Sequence, residues 1–137
     1  MCKENCIFCK IVNGDIPSRT IYQDDLFRVI LDISPATKGH ALIIPKKHYD
    51  DLYDLGETEA KAIFPLAQKL VKKMTEILHC DGFNVMQNNG EVSGQTVFHF
   101  HVHLIPRYEN DKNREKLLWN HEDFSQEELD TVLEALR

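Results

Sequence analysis

The feature that most restricts the fold is a strict alternation of three histidines with apolar residues between positions 98 and 105. Successive side chains of a β-strand point to opposite faces of the sheet, so residues two apart share a face. We predict a strand over residues 96–105, with His99, His101 and His103 lining one face and the apolar residues between them facing a core. Three adjacent imidazoles repel one another when protonated, which makes an inert surface a poor explanation and favours a functional site.

Two chemistries suit three parallel imidazoles. One is a metal site, since three histidines can hold zinc. The other is nucleophilic attack on phosphorus by a neutral imidazole, with neighbouring groups neutralising the phosphate oxygens. The segment just before the strand, residues 88–96 (NNGEVSGQT), supplies amides, hydroxyls and flexible backbone N–H groups. Such a loop can bind an anion, which favours the second chemistry.

Four cysteines provide a second motif. Cys6 and Cys9 form a C-x-x-C pair, which in a reducing compartment is either a redox dithiol or half of a metal site. The flanking pattern is not the strand-then-helix context of a thioredoxin motif, and this disfavours a redox role. The sequence contains seven histidines and gives no rule for choosing two further ligands among them. Cys2 and Cys80 are predicted to have no part in the site.

The remaining patterns predict an α+β domain, with an antiparallel sheet covered by one long central helix and followed by a short C-terminal helix. Apolar runs at 20–23, 26–32, 40–45 and 83–87 are separated by turn signals. Residues 63–78 carry one helical apolar stripe, in which Pro65 predicts a kink or a restart. A capping box at residues 125–128 begins the last helix. Short connections between strands favour an antiparallel sheet.

Composition narrows the class of protein further. The length, 137 residues, favours one domain over residues 1–137. The formal net charge of −6 argues against a nucleic-acid-binding protein, which needs a basic face. No stretch approaches the ~20 apolar residues of a membrane span, and no apolar segment suggests a signal peptide. We therefore expect a soluble cytoplasmic protein that is not associated with membranes.

Several ordered motifs resemble the histidine triad family, specifically its branch of small nucleoside-phosphoramidase-like proteins. The motifs are CIFCKI at 6–11, LDISP at 31–35, GHALIIPKKH at 39–48, NNG at 88–90 and GQTVF at 94–98, which leads into the triad. The resemblance covers nearly the whole chain and weakens after Tyr108. It identifies residues 109–137 as a C-terminal tail and helix.

The resemblance implies a purine nucleotide hydrolase in which His101 is the nucleophile and forms a nucleotidyl-histidine intermediate. His103 would contact the phosphate oxygens, and His40 would be a buttressing fourth histidine. Asn88, Gly94, Gln95 and Thr96 would hold the phosphate or leaving group; family members often have serine where Thr96 stands. Asp32 would bind the ribose hydroxyls. The base would lie between Ile7, Phe8 and Ile11, although the residues alone favour ordinary core for these three.

The same resemblance implies a structural zinc ion bound by Cys6, Cys9, His48 and His99, with no metal needed for catalysis. It also implies a homodimer. The leading function is hydrolysis of purine nucleoside 5′-phosphoramidates or related nucleotidyl adducts. A dinucleoside polyphosphate hydrolase and a non-catalytic module that binds nucleotide or zinc are the alternatives.

Overall fold

A computed structural model describes residues 3–112 and 119–137 and confirms the α+β class. The helices are α1 (Ile7–Val12), α2 (Glu57–Leu78) and α3 (Gln126–Leu136). The strands are β1 (Thr20–Gln23), β2 (Phe27–Leu31), β3 (Ala41–Pro45), β4 (Gly82–Met86) and β5 (Val102–Arg107). They form one antiparallel sheet in the order β1-β2-β3-β5-β4. No helix among the described residues has the length and apolar character to cross a bilayer.

The central strand β3 is buried along its whole length because both faces of the sheet are covered there. On one face Ile43 packs in a cluster with α2, which contributes Leu66, Leu70 and Met74. On the other face Leu42 and Ile44 belong to a second cluster with α1. A strand covered on both sides is expected to be continuously apolar, as this one is. The small second cluster packs α1 against β2 and β3.

Helix α2 is continuous over 22 residues and passes through Pro65. The predicted restart at Pro65 is therefore wrong. Proline removes the N–H that would bond to the carbonyl four residues earlier, but Pro65 lies on the exposed side of the helix. The carbonyl of Lys61 can there bond to water instead of a backbone partner. Helix α1 is not predicted by the sequence analysis, since six residues are too few to show a helical repeat.

The strand predicted over residues 96–105 begins only at Val102. Val102 pairs with Ile43 of β3. Before it, the N–H of Phe100 donates to the carbonyl of Tyr49, which lies outside the sheet. The apolar residues from Phe100 to Leu104 still face the core with α2. Phe98 does not, being 48% exposed. Of the three histidines, only His103 lies within a strand.

The C-terminal helix α3 begins as predicted, with the complete capping box between Ser125 and Glu128. The side-chain oxygen of Ser125 accepts from the N–H of Glu128, and the Glu128 carboxylate accepts from the N–H of Ser125. None of its 11 residues is buried against the rest of the protein.

Candidate functional site

A cavity of about 410 Å³ opens between α1, the chain before β1, the end of β2 and the segment that leads into β5. It contains His101, His103, Thr96 and Asp32 among its polar lining residues. The predicted base-binding residues Ile7, Phe8 and Ile11 form part of its apolar wall. The structure thus brings together seven of the predicted site residues from three separate parts of the chain.

His101 is oriented by a backbone carbonyl. Its Nδ1 lies 2.7 Å from the carbonyl oxygen of His99; a carbonyl can only accept, so Nδ1 carries the proton and Nε2 keeps its lone pair. The ring packs edge-on against Phe8 at a centroid distance of 4.9 Å and is only 9% exposed. His101 is therefore a buried, packed side chain and not part of an exposed strand face. Burial lowers the pKa of His101, which favours the neutral imidazole that a nucleophile needs.

His40 and His103 form a hydrogen-bonded chain with a defined direction. The N–H of Ala36 donates to Nδ1 of His40 at 2.9 Å, so His40 carries its proton on Nε2. That nitrogen lies 2.9 Å from Nδ1 of His103 and donates to it. His103 is left with its own proton on Nε2, as a donor at the cavity. Burial lowers the pKa of His40 and lowers that of His103 to about 4, so both rings are neutral near pH 7.

Asp32 lies where β2 ends and lines the same cavity. Its Oδ1 accepts from the N–H of Ser34 at 2.8 Å, and its Oδ2 lies 3.6 Å from Nε2 of His40. Each carboxylate oxygen has two lone pairs. Both oxygens are therefore fixed in direction and still able to accept from ligand hydroxyl groups.

The loop over residues 88–95 is shaped by Gln95. The Oε1 atom of Gln95 accepts from the N–H of Gly90 at 2.9 Å, and its Nε2 donates to the carbonyl oxygens of Asp50 and Val97 at 2.7 and 3.1 Å. The side chain is buried and does not line the cavity, so the structure does not bring Gln95 to the predicted phosphate site as a side-chain donor. Asn88 and Gly94 also lie outside the lining.

Cys6, Cys9, His48 and His99 form a second cluster, with their four ligand atoms all within 4.8 Å of one another. The Sγ of Cys9 lies 3.3 Å from Nδ1 of His48 and 3.5 Å from Nδ1 of His99. Two ligands on a tetrahedral zinc ion, with bonds of about 2.3 Å to sulfur and 2.0 Å to nitrogen, are separated by about 3.5 Å. The spacing therefore fits a zinc ion.

Helix α1 explains how the two cysteines meet. Cys6 is its N-cap, and the Sγ of Cys6 accepts from the N–H of Cys9 at 3.4 Å. Residues three apart lie on the same side of a helix, so both thiols face His99. Burial raises the pKa of the Cys6 thiol in the absence of an ion. Cys80 is buried beside Thr75 and takes no part in the cluster, whereas Cys2 lies outside the described residues.

Both histidines of this cluster are oriented by partners on their other nitrogen. The Nε2–H of His99 donates to the carbonyl oxygen of Pro45 at 2.8 Å, and that of His48 to Oδ1 of Asp50 at 2.7 Å. Each ring therefore presents the lone pair of Nδ1 to the thiols. Histidines that bind a metal are commonly oriented in this way, by a hydrogen bond on the nitrogen that does not bind the metal. Burial lowers the pKa of His99 to about 4, which keeps it neutral. Asp50 was not predicted as part of the site, although a carboxylate two residues after His48 is a signal that could have indicated it.

Known proteins resemble this chain over most of its length. The HIT domain family model matches residues 13–110. Protein hit of Bacillus subtilis is 48% identical over 107 residues, which are 78% of this chain and 74% of the relative. The adenosine 5′-monophosphoramidase hnt1 of Schizosaccharomyces pombe is 45% identical over 75% of this chain and 74% of its own. The adenylylsulfatase HINT3 of Arabidopsis thaliana is 36% identical over 97% of this chain and 65% of its own.

Solved structures share the fold. A HIT family protein of Bacillus subtilis superposes with a TM-score of 0.89 and 40% identity, covering 97% of this chain and 95% of its own. A zinc-bound histidine triad family protein of Mycobacterium smegmatis gives a TM-score of 0.75 and 41% identity, covering 96% and 91%. With the family match extending over most of the chain and through all three triad histidines, the protein belongs to the HIT domain family.

Proposed function

We propose that the protein hydrolyses purine nucleoside 5′-phosphoramidates or related nucleotidyl adducts through a nucleotidyl-histidine intermediate on His101. The observation that carries the proposal is the tautomer of His101. Because the His99 carbonyl holds the proton on Nδ1, the unprotonated Nε2 is the nitrogen available to a phosphorus atom in the cavity. Relatives named as an adenosine 5′-monophosphoramidase and an adenylylsulfatase support hydrolysis of bonds to a nucleotide phosphate.

The reaction steps follow from the hydrogen bonds that orient His101 and His103. Nε2 of His101 attacks phosphorus, the bond from phosphorus to the leaving nitrogen breaks, and the departing amine takes a proton from solvent. Nε2–H of His103 donates to a phosphate oxygen as negative charge develops there. Water then attacks phosphorus, the bond to His101 breaks, and nucleoside monophosphate leaves with the release of one proton. His40 acts indirectly, because its hydrogen bond keeps the proton of His103 on Nε2.

The cavity wall suits a nucleoside. Ile7, Phe8 and Ile11 provide an apolar surface against which the faces of a base can pack. Asp32 is positioned to accept hydrogen bonds from the two ribose hydroxyl groups. Thr96 lines the cavity close to the two catalytic histidines and offers its hydroxyl to the phosphate. We assign Gln95, and through it Gly94 and Asn88, to the support of this loop.

We further propose that Cys6, Cys9, His48 and His99 hold a structural zinc ion. Two thiolates and two neutral imidazoles give a closed, uncharged tetrahedral site, which when occupied contributes folding free energy rather than a reactive water. A zinc-bound relative of the same fold supports this assignment. Catalysis itself requires no metal in this proposal, and the protein acts as a homodimer.

A single-turnover experiment tests the proposal. Excess protein is mixed with adenosine 5′-phosphoramidate, quenched within the first turnover and digested, and the peptide that contains residues 99–103 is examined by mass spectrometry. We expect one adenylyl group on His101, absent from the His101→Ala variant. The matched control is His121→Ala, which removes an exposed histidine outside the cavity.

Turnover without any adduct on His101 would contradict the mechanism. Faster cleavage of a dinucleoside polyphosphate than of the phosphoramidate would instead select the alternative substrate class. Binding of nucleotide without cleavage of either substrate would identify a non-catalytic module.

A further inference from the structure

The peptide group between His99 and Phe100 is hydrogen-bonded at both ends. Its carbonyl oxygen accepts from Nδ1 of His101 at 2.7 Å, and its N–H donates to the carbonyl oxygen of Tyr49 at 2.6 Å. A peptide group is planar and rigid, so the direction of its N–H fixes the direction of its carbonyl. The Tyr49 carbonyl therefore helps to decide where the carbonyl that holds the His101 proton points.

Tyr49 lies in the connection between β3 and α2, outside any helix or strand. Its side chain ties it to α2, since the hydroxyl donates to Oε2 of Glu59 at 3.1 Å and the ring packs against the core cluster that α2 shares with β3. Glu59 lies in the first turn of α2 and is only 3% exposed. A buried carboxylate is costly unless it is hydrogen-bonded, so the hydroxyl and the carboxylate hold each other in place.

The contact between Tyr49 and Glu59 leaves no room for a side chain at Gly56, the residue that precedes α2. A Cβ atom at Gly56 would lie 2.5 Å from the Tyr49 hydroxyl oxygen and 2.7 Å from Oε1 of Glu59. The backbone of Gly56, with a φ angle of −65°, is one that any residue adopts, so the lack of space is what favours glycine there. The Tyr49 hydroxyl is thus confined between the Glu59 carboxylate and the start of α2.

We propose that Tyr49 is a positioning residue for His101, with Glu59 as the anchor of its side chain. The contacts run from the Glu59 carboxylate to the Tyr49 side chain, and from the Tyr49 carbonyl through the peptide group after His99 to Nδ1 of His101. Without the anchor this peptide group can tilt, and its carbonyl no longer holds the His101 proton on Nδ1 alone. Neither Tyr49 nor Glu59 lines the cavity that contains His101, so both act on the nucleophile and not on the nucleotide. The effect on the reaction rate rests on the proposed function, whereas the effect on the ring does not.

The experiment reads the His101 ring directly, by nitrogen NMR of protein with isotope-labelled histidine at about pH 8, where imidazoles are neutral. The chemical shifts of the two ring nitrogens report which of them carries the proton, and the spectrum of His101→Ala assigns the signals. Tyr49→Phe removes the anchoring hydroxyl and keeps the ring in the core. Glu59→Ala removes the acceptor, whereas Glu59→Gln keeps an oxygen that can accept from Tyr49. The matched control is Tyr53→Phe, which changes a tyrosine that is 92% exposed.

In wild-type protein we expect His101 to be protonated on Nδ1 alone. Tyr49→Phe and Glu59→Ala should each add a fraction of His101 that is protonated on Nε2. Each should also lower kcat for a nucleoside phosphoramidate by about tenfold at unchanged KM, because the attacking nitrogen is protonated or misaligned. Glu59→Gln should recover most of both values, and Tyr53→Phe should change neither.

A Tyr49→Phe protein with the wild-type tautomer and kcat would overturn the proposal even if its Tm fell, and so would equal shifts in Tyr53→Phe. If Tyr49→Phe does not fold, the amide bond between His99 and Phe100 is replaced by an ester, which removes only the N–H that donates to Tyr49. An ester protein that keeps the His101 proton on Nδ1 would overturn the proposal. A changed tautomer in Tyr49→Phe, with no turnover of the phosphoramidate even by wild-type protein, would support the role of Tyr49 and reject the proposed function.

Discussion

His99 and His101 are two residues apart, yet they serve different clusters. His99 donates from Nε2 to the carbonyl of Pro45 and directs Nδ1 toward two thiols. His101 donates from Nδ1 to the carbonyl of His99 and leaves Nε2 for the cavity. The backbone carbonyl to which each ring donates thus decides which of its two nitrogens keeps a lone pair and where that nitrogen faces.

The two clusters also differ in their access to solvent and substrate. None of the four residues of the cysteine cluster lines the cavity that contains His101, which suits a structural ion. The His40–His103 pair borders the cavity and keeps one N–H directed to it. The following experiments test this division of labour between a structural cluster and a catalytic one.

The largest expected effect is that of His101→Ala on turnover. Losing the nucleophile should lower kcat by several orders of magnitude, on the order of 10³-fold or more. Because His101 packs on Phe8, we also expect a modest fall in Tm, while circular dichroism should show a retained fold. The measurement is steady-state hydrolysis of a nucleoside phosphoramidate. A variant with more than a tenth of the wild-type rate would show that His101 is not the nucleophile.

His103→Ala should be less severe. It removes one hydrogen bond to the developing phosphate charge and leaves the attacking nitrogen in place, a loss of about 10²-fold in kcat. His40→Ala should act in the same direction but by less, since it only releases the tautomer of His103. Comparing kcat for the three variants orders their roles. Equal losses in His101→Ala and His103→Ala would break the distinction between nucleophile and charge stabiliser.

Cys6→Ser should affect stability more than chemistry. We expect loss of the bound zinc, measured by metal analysis, and a clear fall in Tm, because an empty site leaves buried polar ligands without a partner. At low temperature kcat should fall only a few-fold, through the loosening of His99 beneath His101. Cys2→Ser is the control and should keep its metal. Zinc loss that abolished turnover at unchanged Tm would make the metal catalytic.

Acid should inactivate the protein by protonating the catalytic rings. The pKa of His103 is lowered to about 4 by burial, so kcat/KM should hold steady from pH 8 to 6 and decline as the pH approaches 4. A histidine of the unfolded chain binds a proton below about pH 6.5, whereas burial lowers the pKa values of His101 and His103 in the folded chain, to about 4 for His103. Stability at these rings should therefore fall as the pH drops through that window. A rate that rose with acid would contradict the neutral-imidazole assignment.

The smallest expected effect is that of metal chelation during the assay. Brief addition of EDTA should leave the rate unchanged, and Mg²⁺ should not be required, because imidazole and hydroxyl groups contact the phosphate directly. The assay compares initial rates with and without each reagent before zinc dissociates. A strict requirement for Mg²⁺ would contradict the triad mechanism.

Much of this architecture could be predicted because it is encoded in local patterns. The α2 stripe, the fully apolar β3 and the capping box of α3 each have a periodicity or composition that specifies one structure. The late start of β5, at Val102, could not be predicted, since the alternation of histidine with apolar residues begins before it. It depends on distant backbone partners, such as the carbonyl of Tyr49 that binds the N–H of Phe100.

The candidate site, like the fold, could be predicted only where local sequence determines it. The identities of the histidines could be read from the sequence and from the family resemblance, but their tautomers could not. Those tautomers depend on the carbonyls of Pro45 and His99 and on the N–H of Ala36. Every residue type has a backbone carbonyl and all but proline have the N–H, so the sequence does not mark these partners. The hydrogen bonds of Gln95 to the loop could not be predicted for a related reason. An amide beside a glycine-rich loop can bind a ligand or the loop itself, and only the position of Asp50 and Gly90 decides between them.

Helix α1 carries Cys9 on the side of the cysteine cluster and Phe8 and Ile11 on the side of the cavity that contains His101. A single rigid element shared by two ligands makes their binding thermodynamically linked, and linkage is reciprocal. If an ion bound to the thiols fixes the apolar wall and so raises the affinity for nucleotide, then bound nucleotide must raise the affinity for the ion by the same factor. We expect substrate analogues to slow the loss of zinc to a chelator, so that nucleotide supply would protect the protein from metal starvation.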